Sequence, residues 1–254
     1  AGEDPVHSYY KGAEIKNALQ IVPFLVVQDV YMTETAKLAD IILPTTTSVE
    51  KEGSFTNMTR HVQKVIPATP PQYQSRTDHD IFVQLAEVFG NKLKNSSVTE
   101  VQDEISKTVP IYKGTLPGTK SRQWSPEGFK HTPCFQISDA PQVTKRKKEF
   151  PFQLVSNNHM FHIGSYTQYA KALTDIGPEC VAELHPEDAE ALGVNDGDRI
   201  MIESSTHKVE VPIVMNTVTV KGMVYLPKNW VEVPVNMLRN GEEGPVSIKI
   251  SKAS

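Results

Sequence analysis

The stretch from Phe24 to Asn57 constrains the fold more than any other part of this chain, because short apolar runs alternate there with polar turns. Phe24 to Val27 is apolar and β-branched, which predicts a strand of a parallel sheet buried on both faces. Ile41 to Leu43 predicts a second strand, which ends at Pro44. A short helix between them completes a strand-helix-strand unit, so the sequence indicates an α/β domain.

Polar side chains follow the first of these strands, at the edge where ligands collect in open α/β sheets. Thr33 is placed to cap the short helix, and Lys37 is expected on its solvent side. The residues from Thr45 to Asn57 are too polar to bury without partners, which predicts an ordered loop. The candidate binding residues of this region are Gln28, Asp29, Thr33 and Thr35.

Two segments of this stretch, QDVYMTETAKLADIILP and EKEGSFTN, resemble the molybdopterin oxidoreductase family, in which the same motifs occur in the same order. A strand-helix-strand unit of any other α/β enzyme would explain the apolar pattern but not the polar residues. The resemblance implies part of a Rossmann-like nucleotide-binding domain that can hold a molybdopterin guanine dinucleotide. It also implies that Asp29 or Asp40 accepts a hydrogen bond from a guanine or ribose group.

The C-terminal part changes from helical spacing to short strands bounded by turn residues, which predicts a small β-barrel. A helix between strands is expected where Pro186 and Gly193 bracket an apolar-polar run. The phrase ELHPEDAEALGVNDGDRIMIES resembles the molydopterin-dinucleotide-binding domain of the same family, which implies a double-psi β-barrel. The predicted strands are Phe152 to Val155, Arg199 to Glu203, Val209 to Met215 and Gly222 to Leu226.

Composition shifts to Pro, Gly, Ser and Lys between Pro110 and Glu149, which indicates a long connection rather than a core segment. We therefore predict three regions. Residues 1–111 form the C-terminal half of an α/β molybdopterin-oxidoreductase domain, residues 112–149 form a linker, and residues 150–254 form the barrel domain.

A polar loop follows the first predicted barrel strand, where the family carries a His-x-Gly-x-x-Thr segment against its pterin cofactor. A glycine there lets the backbone approach a phosphate closely. Asn236 corresponds to the family's Asn-x-Leu near the carboxyl end and is expected either to contact the pterin or to cap a turn. All candidate residues are expected to converge on one cleft between the domains. Those of the loop are His162, Gly164, Ser165 and Thr167.

No metal-binding or catalytic residue is assigned from this sequence. His159 and His162 are a poor metal pair, since they offer only two nitrogens. Cys134 and Cys180 cannot hold an iron–sulfur cluster, which usually takes four protein ligands, so clusters are expected only on other parts of a complex. The opening from Ala1 to Pro5 resembles a family loop that follows a Rossmann-like strand. We therefore expect a partner chain to carry the upstream half of the domain and the metal ligand.

Charge and hydropathy narrow the class of partner. The formal charge is -4 and most basic residues are scattered, which gives nucleic-acid binding little support. No apolar run approaches the roughly 20 residues needed to cross a bilayer, and the N-terminus lacks a signal-peptide pattern. The sequence predicts a cytoplasmic protein with no membrane span of its own, placed in the peripheral arm if its complex is membrane-bound.

Three interpretations of function remain open. The favoured one is the C-terminal part of the G-type subunit of NADH:quinone oxidoreductase (complex I), structural and without its own redox centre. The second is the C-terminal part of a molybdenum or tungsten formate dehydrogenase that holds the pterin cofactor, although Lys228-Asn229 departs from the pair expected in an active enzyme. The third is a free-standing binding module.

Overall fold

The structure is a computed structural model that describes residues 1–93, 97–115, 122–123, 148–177, 179–239 and 245–253. The chain divides into two compact units. The first contains Ala1–Gly2, Val26–Met32 and the described residues of Ile41–Ser138, and the second contains Glu3–Leu25, Thr33–Asp40 and the described residues of Asp139–Ser254. Most of the predicted linker, residues 112–149, lies outside the described residues.

The helices and strands of the described residues are short, and they are numbered here in chain order. The helices are α1 (Pro5–Ser8), α2 (Gly12–Gln20), α3 (Asp78–Val88), α4 (Val98–Thr108), α5 (Lys171–Thr174), α6 (Pro186–Leu192) and α7 (Val235–Leu238). The strands are β1 (Val26–Asp29), β2 (Ile41–Pro44), β3 (Gly53–Thr56), β4 (His61–Val65), β5 (Arg122–Gln123), β6 (Phe152–Val155), β7 (Ala182–Leu184), β8 (Arg199–Glu203), β9 (Lys208–Met215), β10 (Met223–Tyr225) and β11 (Val246–Lys252).

In the first unit, β1 and β2 pair in parallel, with Val26 opposite Ile41 and Asp29 opposite Pro44. This pairing confirms the two predicted strands, although β1 begins at Val26 rather than at Phe24. The expected burial on both faces is wrong, because Phe24, Val26 and Ile41 are exposed. Among the described residues this sheet consists of β1 and β2 alone, whereas strands buried on both faces belong to wider parallel sheets covered by helices.

An antiparallel sheet of β3, β4 and β5 follows in the same unit. β3 lies inside the stretch predicted to be a loop, because Asn57 closes a tight turn after it. The side-chain oxygen of Asn57 accepts from the amides of Thr59 and His61 at 3.0 and 2.9 Å, which brings β4 back beside β3. α3 and α4 begin after the capping residues Thr77 and Ser97, whose side chains accept from the amides of Asp80 and Glu100.

The second unit contains a closed barrel of six strands in the order β10-β6-β11-β8-β9-β7. The pairs β10–β6 and β7–β9 are parallel, and the remaining pairs are antiparallel. The barrel confirms the predicted β-barrel domain, whereas the Rossmann-like assignment of the first domain and the double-psi topology stay predictions. α6 begins with Pro186 and ends at Gly193, whose φ of 66° is the left-handed conformation that glycine adopts freely.

Alternation along the strands builds the barrel core. β9 follows the predicted pattern, because Val211 and Ile213 are fully buried while Lys208 and Glu210 face outward. Burying a side chain of this size stabilises the fold by about 1.5–3 kcal/mol, so the interior dominates the stability of this unit. Its fully buried branched residues include Leu154, Leu184, Ile200, Ile202, Val211, Ile213, Val224 and Ile248.

Two N-terminal segments, Glu3–Leu25 and Thr33–Asp40, belong to the same compact unit as the barrel. α1 and α2 pack on each other and on α7. The expected helix after β1 is a single 3-10 turn over Ala36–Leu38, and Thr33 Oγ1 accepts from the amide of Ala36 at 3.2 Å, as its predicted capping role requires. The assignment of residues 1–111 to one domain stays a prediction.

No helix in the described ranges has both the length and the apolar character that crossing a membrane requires.

Gly12 permits the close approach of α2 to α1. A Cβ at this position would lie 2.5 Å from the carbonyl oxygen of Val6, which real Cβ atoms essentially never do. Val6 is itself almost fully buried, so the backbone has little room to move away.

Replacing Gly12 by alanine is expected to lower the free energy of unfolding by about 1–3 kcal/mol, because the added methyl group overpacks a backbone contact. Chemical denaturation of the purified protein measures this change. The matched control is Gly53→Ala, where the structure leaves open space for the methyl group. Equal unfolding free energies for the two variants would contradict the packing described here.

Candidate functional site

The carboxyl end of β1 carries two predicted residues, Gln28 and Asp29, and both are buried in the first unit. Gln28 Nε2 donates to Asp78 Oδ1 at 2.6 Å. The Asp29 carboxylate accepts from the amide of Val30 at 2.7 Å, and its carbonyl oxygen accepts from the amide of Thr45 at 3.1 Å. Hydrogen bonds therefore hold the end of β1 against the start of α3 and the residue after β2.

Asp78 is the hub of this network, a role that the sequence did not reveal. Its carboxylate accepts from Thr45 Oγ1 at 2.9 Å and from Lys51 Nζ at 2.5 Å, besides the bond from Gln28. Partial burial acts to raise the pKa of Asp78, but the bonds from Lys51, Thr45 and Gln28 outweigh it and lower the pKa below its ordinary value. Asp78 is therefore ionised at neutral pH, and its charge also suits the first turn of α3.

In the second unit, Thr35 is bonded to the loop before α1. Its amide and hydroxyl both donate to Asp4 Oδ1, at 3.0 and 2.6 Å, and its oxygen accepts from the amide of Val6 at 3.2 Å. Asp4, Thr33 and Thr35 are buried. The two predicted threonines thus support the backbone around α1, and both hydroxyl oxygens already have partners within the chain.

Asn236, on α7, reaches the same α1 segment. Its Nδ2 donates to the carbonyl oxygens of His7 and Ser8, at 2.8 and 3.2 Å. Its Oδ1 is buried and has no hydrogen-bond partner among the described residues. The simpler alternative, in which Asn236 merely caps a turn, accounts for the amide nitrogen but not for the unpartnered oxygen.

The loop after β6 fixes the imidazole of His162. Thr167 Oγ1 donates to the carbonyl oxygen of Gly164 at 2.5 Å, so the same hydroxyl must accept from His162 Nδ1, also 2.5 Å away. This places the proton of the neutral imidazole on Nδ1 and leaves Nε2 as an acceptor. Nε2 is buried and has no hydrogen-bond partner among the described residues.

Burial lowers the pKa of His162 below its ordinary value, although a hydrogen bond with the backbone of Asn229 acts to raise it, and the electrostatic effect of His7 lowers it further. The ring is therefore neutral at neutral pH. Asn229 has a left-handed φ of 87°, and its Nδ2 donates to the carbonyl oxygen of His162 at 3.2 Å. Asn229, which departs from the residue pair expected in an active formate dehydrogenase, thus has a structural role, since asparagine tolerates this backbone conformation better than most residues.

One wall of a cavity of about 340 Å³ is formed by His162 and Trp230, whose ring centroids lie 4.0 Å apart in an edge arrangement. Phe161 and Tyr169 also line it. Phe161 has a φ of 69°, which is a strained conformation for a bulky residue and is typical of ligand sites.

Gly164 is extended, with a φ of −166°, so its backbone does not require glycine. A Cβ here would meet no protein atom within 4 Å. The side chain of Ser165 lies outside what the structure describes.

Asp40 directly precedes β2, at the amino end of the parallel pair, whereas Asp29 closes β1 at the carboxyl end. The exposed Asp40 carboxylate accepts from the amide of Leu25 at 2.7 Å. Its predicted contact with a guanine or ribose group stays a prediction, and this position at the amino end does not support it. Gln28 and Asp29 belong to the first unit and the other candidates to the second, so the predicted common cleft also stays a prediction.

Several residues at the site escaped the sequence analysis. Asp4 lies in the opening loop, which carried a family resemblance but no assigned role, and His7 lies in α1 directly after that loop. Arg239 is buried, donates to Ser156 Oγ at 2.9 Å and lies 5.0 Å from the ring centre of Tyr10. A buried cation directly after an apolar pair has no periodic signal in the sequence, so only the fold reveals it.

The thiol of Cys180 is protonated and unreactive at neutral pH, because burial raises its pKa to about 12. Cys134 lies outside the described residues. Within the described ranges, no three His, Cys, Asp or Glu side chains come together as candidate metal ligands.

Comparison with protein families gives two matches. Residues 1–88 match the molybdopterin oxidoreductase family, and residues 152–251 match the molydopterin dinucleotide binding domain. Both resemblances drawn from the sequence are thereby confirmed.

Curated relatives match along nearly the whole chain. The F420-dependent formate dehydrogenase 2 subunit alpha of Methanococcus maripaludis is 32% identical over 97% of this chain and 40% of the relative. The NADPH-Fe(3+) oxidoreductase subunit alpha of Geobacter sulfurreducens is 29% identical over 99% of this chain and 29% of the relative. The second G-type subunit of NADH-quinone oxidoreductase from Rhizobium meliloti is 28% identical over 100% of this chain and 30% of the relative. The chain spans less than half the length of these relatives.

Among solved structures, acetylene hydratase from Pelobacter acetylenicus superposes with a TM-score of 0.70, covering 99% of this chain and 43% of that one. Because the sequence identity is only 17%, this likeness shows a shared fold and nothing more.

Replacing Asp78 by asparagine is expected to lower the free energy of unfolding at neutral pH by about 1–2 kcal/mol, since the ionic partner of Lys51 is lost. The pKa of Asp78 is lowered in the folded state, so its contribution is present above the unfolded pKa of 3.8 and is lost as the pH falls through the folded pKa. Denaturation across a pH series should therefore show the difference from wild type shrinking below about pH 4.

The control is Asp80→Asn, which removes a charge from the same helical turn without touching Gln28 or Lys51. A difference for Asp78→Asn that persists unchanged into acid, or that Asp80→Asn reproduces in full, would contradict the role of Asp78 as the hub.

Proposed function

We propose that this chain, which belongs to the molybdopterin oxidoreductase family, supplies part of the pocket that holds a molybdopterin dinucleotide in a larger oxidoreductase. One observation carries the proposal. His162 Nε2 and Asn236 Oδ1 are buried acceptors without a partner in the described chain. An unsatisfied buried polar group costs about 1–3 kcal/mol, so these two acceptors favour a ligand that donates to them.

A pterin fits these groups chemically. Its amino group and ring N–H groups are donors, which His162 Nε2 and Asn236 Oδ1 can accept. The open space at Gly164 lets the backbone of this loop approach the cofactor, and Thr167 holds the His162 ring in the required tautomer. Thr33, Thr35 and Asp4 position the neighbouring α1 segment rather than contact the cofactor.

The described residues of this chain bind and orient, and the cofactor supplies the redox chemistry when bound, through the metal it carries. Trp230 and Phe161 line the cavity and exclude water from its wall, and burial keeps the imidazole of His162 neutral. The proposed whole enzyme is of the formate dehydrogenase alpha type, because the 32% identical relative bears that name and the site retains acceptors for the pterin.

The second candidate is a G-type subunit of NADH:quinone oxidoreductase, where this part of the chain is structural. The relative from Rhizobium meliloti, which matches over the full length of this chain, supports it. Under this alternative, water must satisfy the two buried acceptors. In both cases the partners are other subunits of a redox complex, and iron–sulfur clusters belong to other parts of it.

Analysis of the native assembly for pterin, molybdenum and tungsten distinguishes the two candidates. Stoichiometric pterin and metal are expected under the proposal. A pure assembly with neither would support the structural alternative and contradict the proposal.

Replacing Gly164 by valine is expected to reduce bound pterin at least about tenfold, since the side chain occupies space that the cofactor needs. The folded chain itself has room for the side chain, so thermal unfolding of the assembly should change little apart from the loss of cofactor stabilisation. Gly53→Val is the matched control, because Gly53 is equally open and lies in β3 of the first unit. Wild-type pterin content in Gly164→Val would contradict the assignment of this loop to the pocket.

A further inference from the structure

We propose that the imidazole of His7 is a further hydrogen-bonding contact for the bound pterin heterocycle, beside His162 and Asn236. The inference rests on the proposed function and deepens it, because it adds a residue from α1 to the binding surface.

His7 is 5% exposed, and neither of its ring nitrogens has a hydrogen-bond partner among the described residues. A neutral imidazole has one N–H donor and one acceptor, so both kinds of group are left unsatisfied in a buried setting. A histidine that served only to fill space would cost the fold free energy that a phenylalanine or leucine would not. The unpaired nitrogens therefore point to an external partner.

The position of His7 is well determined by its neighbours. Asp4 and Thr35 hold the start of α1, and the close contact between Gly12 and Val6 holds α1 against α2. The carbonyl oxygen of His7 accepts from Asn236 Nδ2 at 2.8 Å. Ligand sites require such preorganised groups, because a ring that is already held loses little conformational entropy on binding.

His7 lies near both acceptors assigned to the pterin. Its backbone carbonyl oxygen accepts from Asn236 Nδ2, and its ring is close enough to act electrostatically on the pKa of His162, after the larger effect of burial. The unpartnered atoms of these side chains all belong to the second compact unit.

The four unpartnered atoms determine which donors and acceptors a ligand must offer. Asn236 Oδ1, His162 Nε2 and one nitrogen of His7 accept, and the other nitrogen of His7 donates. A ligand must therefore present several N–H donors and at least one acceptor on a compact frame. An amino-oxo heterocycle such as a pterin has this combination, whereas a phosphate or a carboxylate offers acceptors alone.

The test replaces His7 in the native assembly and measures pterin released per chain. His7→Phe keeps a planar ring without nitrogens and is expected to lower pterin content at least about tenfold, equivalent to one lost hydrogen bond to a buried group. His7→Gln restores a donor and an acceptor and is expected to recover most of the pterin. The control is His207→Phe, since His207 lies in the same unit, in the turn before β9, where its amide donates to Ser204 Oγ.

Wild-type pterin content in His7→Phe would overturn the inference while leaving the proposed function intact. Absence of pterin from the wild-type assembly would overturn both. If His7→Phe does not assemble, His7→Leu is the second apolar variant. Failure of both to assemble while His7→Gln assembles without pterin would show that the ring is a packing element, and this would also overturn the inference.

Discussion

One buried carboxylate, that of Asp4, holds the part of the second unit on which the site depends. The amide and hydroxyl of Thr35 donate to it, and Thr35 Oγ1 accepts in turn from the amide of Val6. This triangle ties the short α1 helix, too short to be stable alone, to the segment around the 3-10 turn. Because α1 is held there, the carbonyl oxygen of His7 can accept from Asn236, more than two hundred residues later in the chain.

The polar groups of the chain fall into two classes. Around Asp78, the donors and the acceptor satisfy one another within the chain: Gln28, Thr45 and Lys51 all donate to one carboxylate, which therefore stays ionised and structural. Around His162, donors and acceptors do not balance among the described residues, since Nε2 remains an acceptor without a donor. A fold tolerates such an imbalance where a ligand completes it, and this contrast separates the scaffold from the binding surface.

Much of the fold could be predicted from short-range patterns, and much of the site could not. Short strands bounded by turn residues predicted the barrel, and the proline and glycine that bound α6 predicted that helix, because each is a local signal. β7 escaped, since its three residues show no period, and β3 escaped because the turn at Asn57 depends on its own side-chain bonds. His162 and Asn236 could be found through family motifs. The role of His7 depends on contacts between distant segments, so no local pattern reveals it.

The most direct test of the account is an experimental structure of the native assembly at a resolution that shows hydrogen-bond partners around His162. The account predicts a planar heterocycle with an N–H donor about 3 Å from His162 Nε2 and another group within the same distance of Asn236 Oδ1. A structure in which ordered water alone, or another protein group, satisfies both atoms would contradict the claim that this chain holds a pterin cofactor.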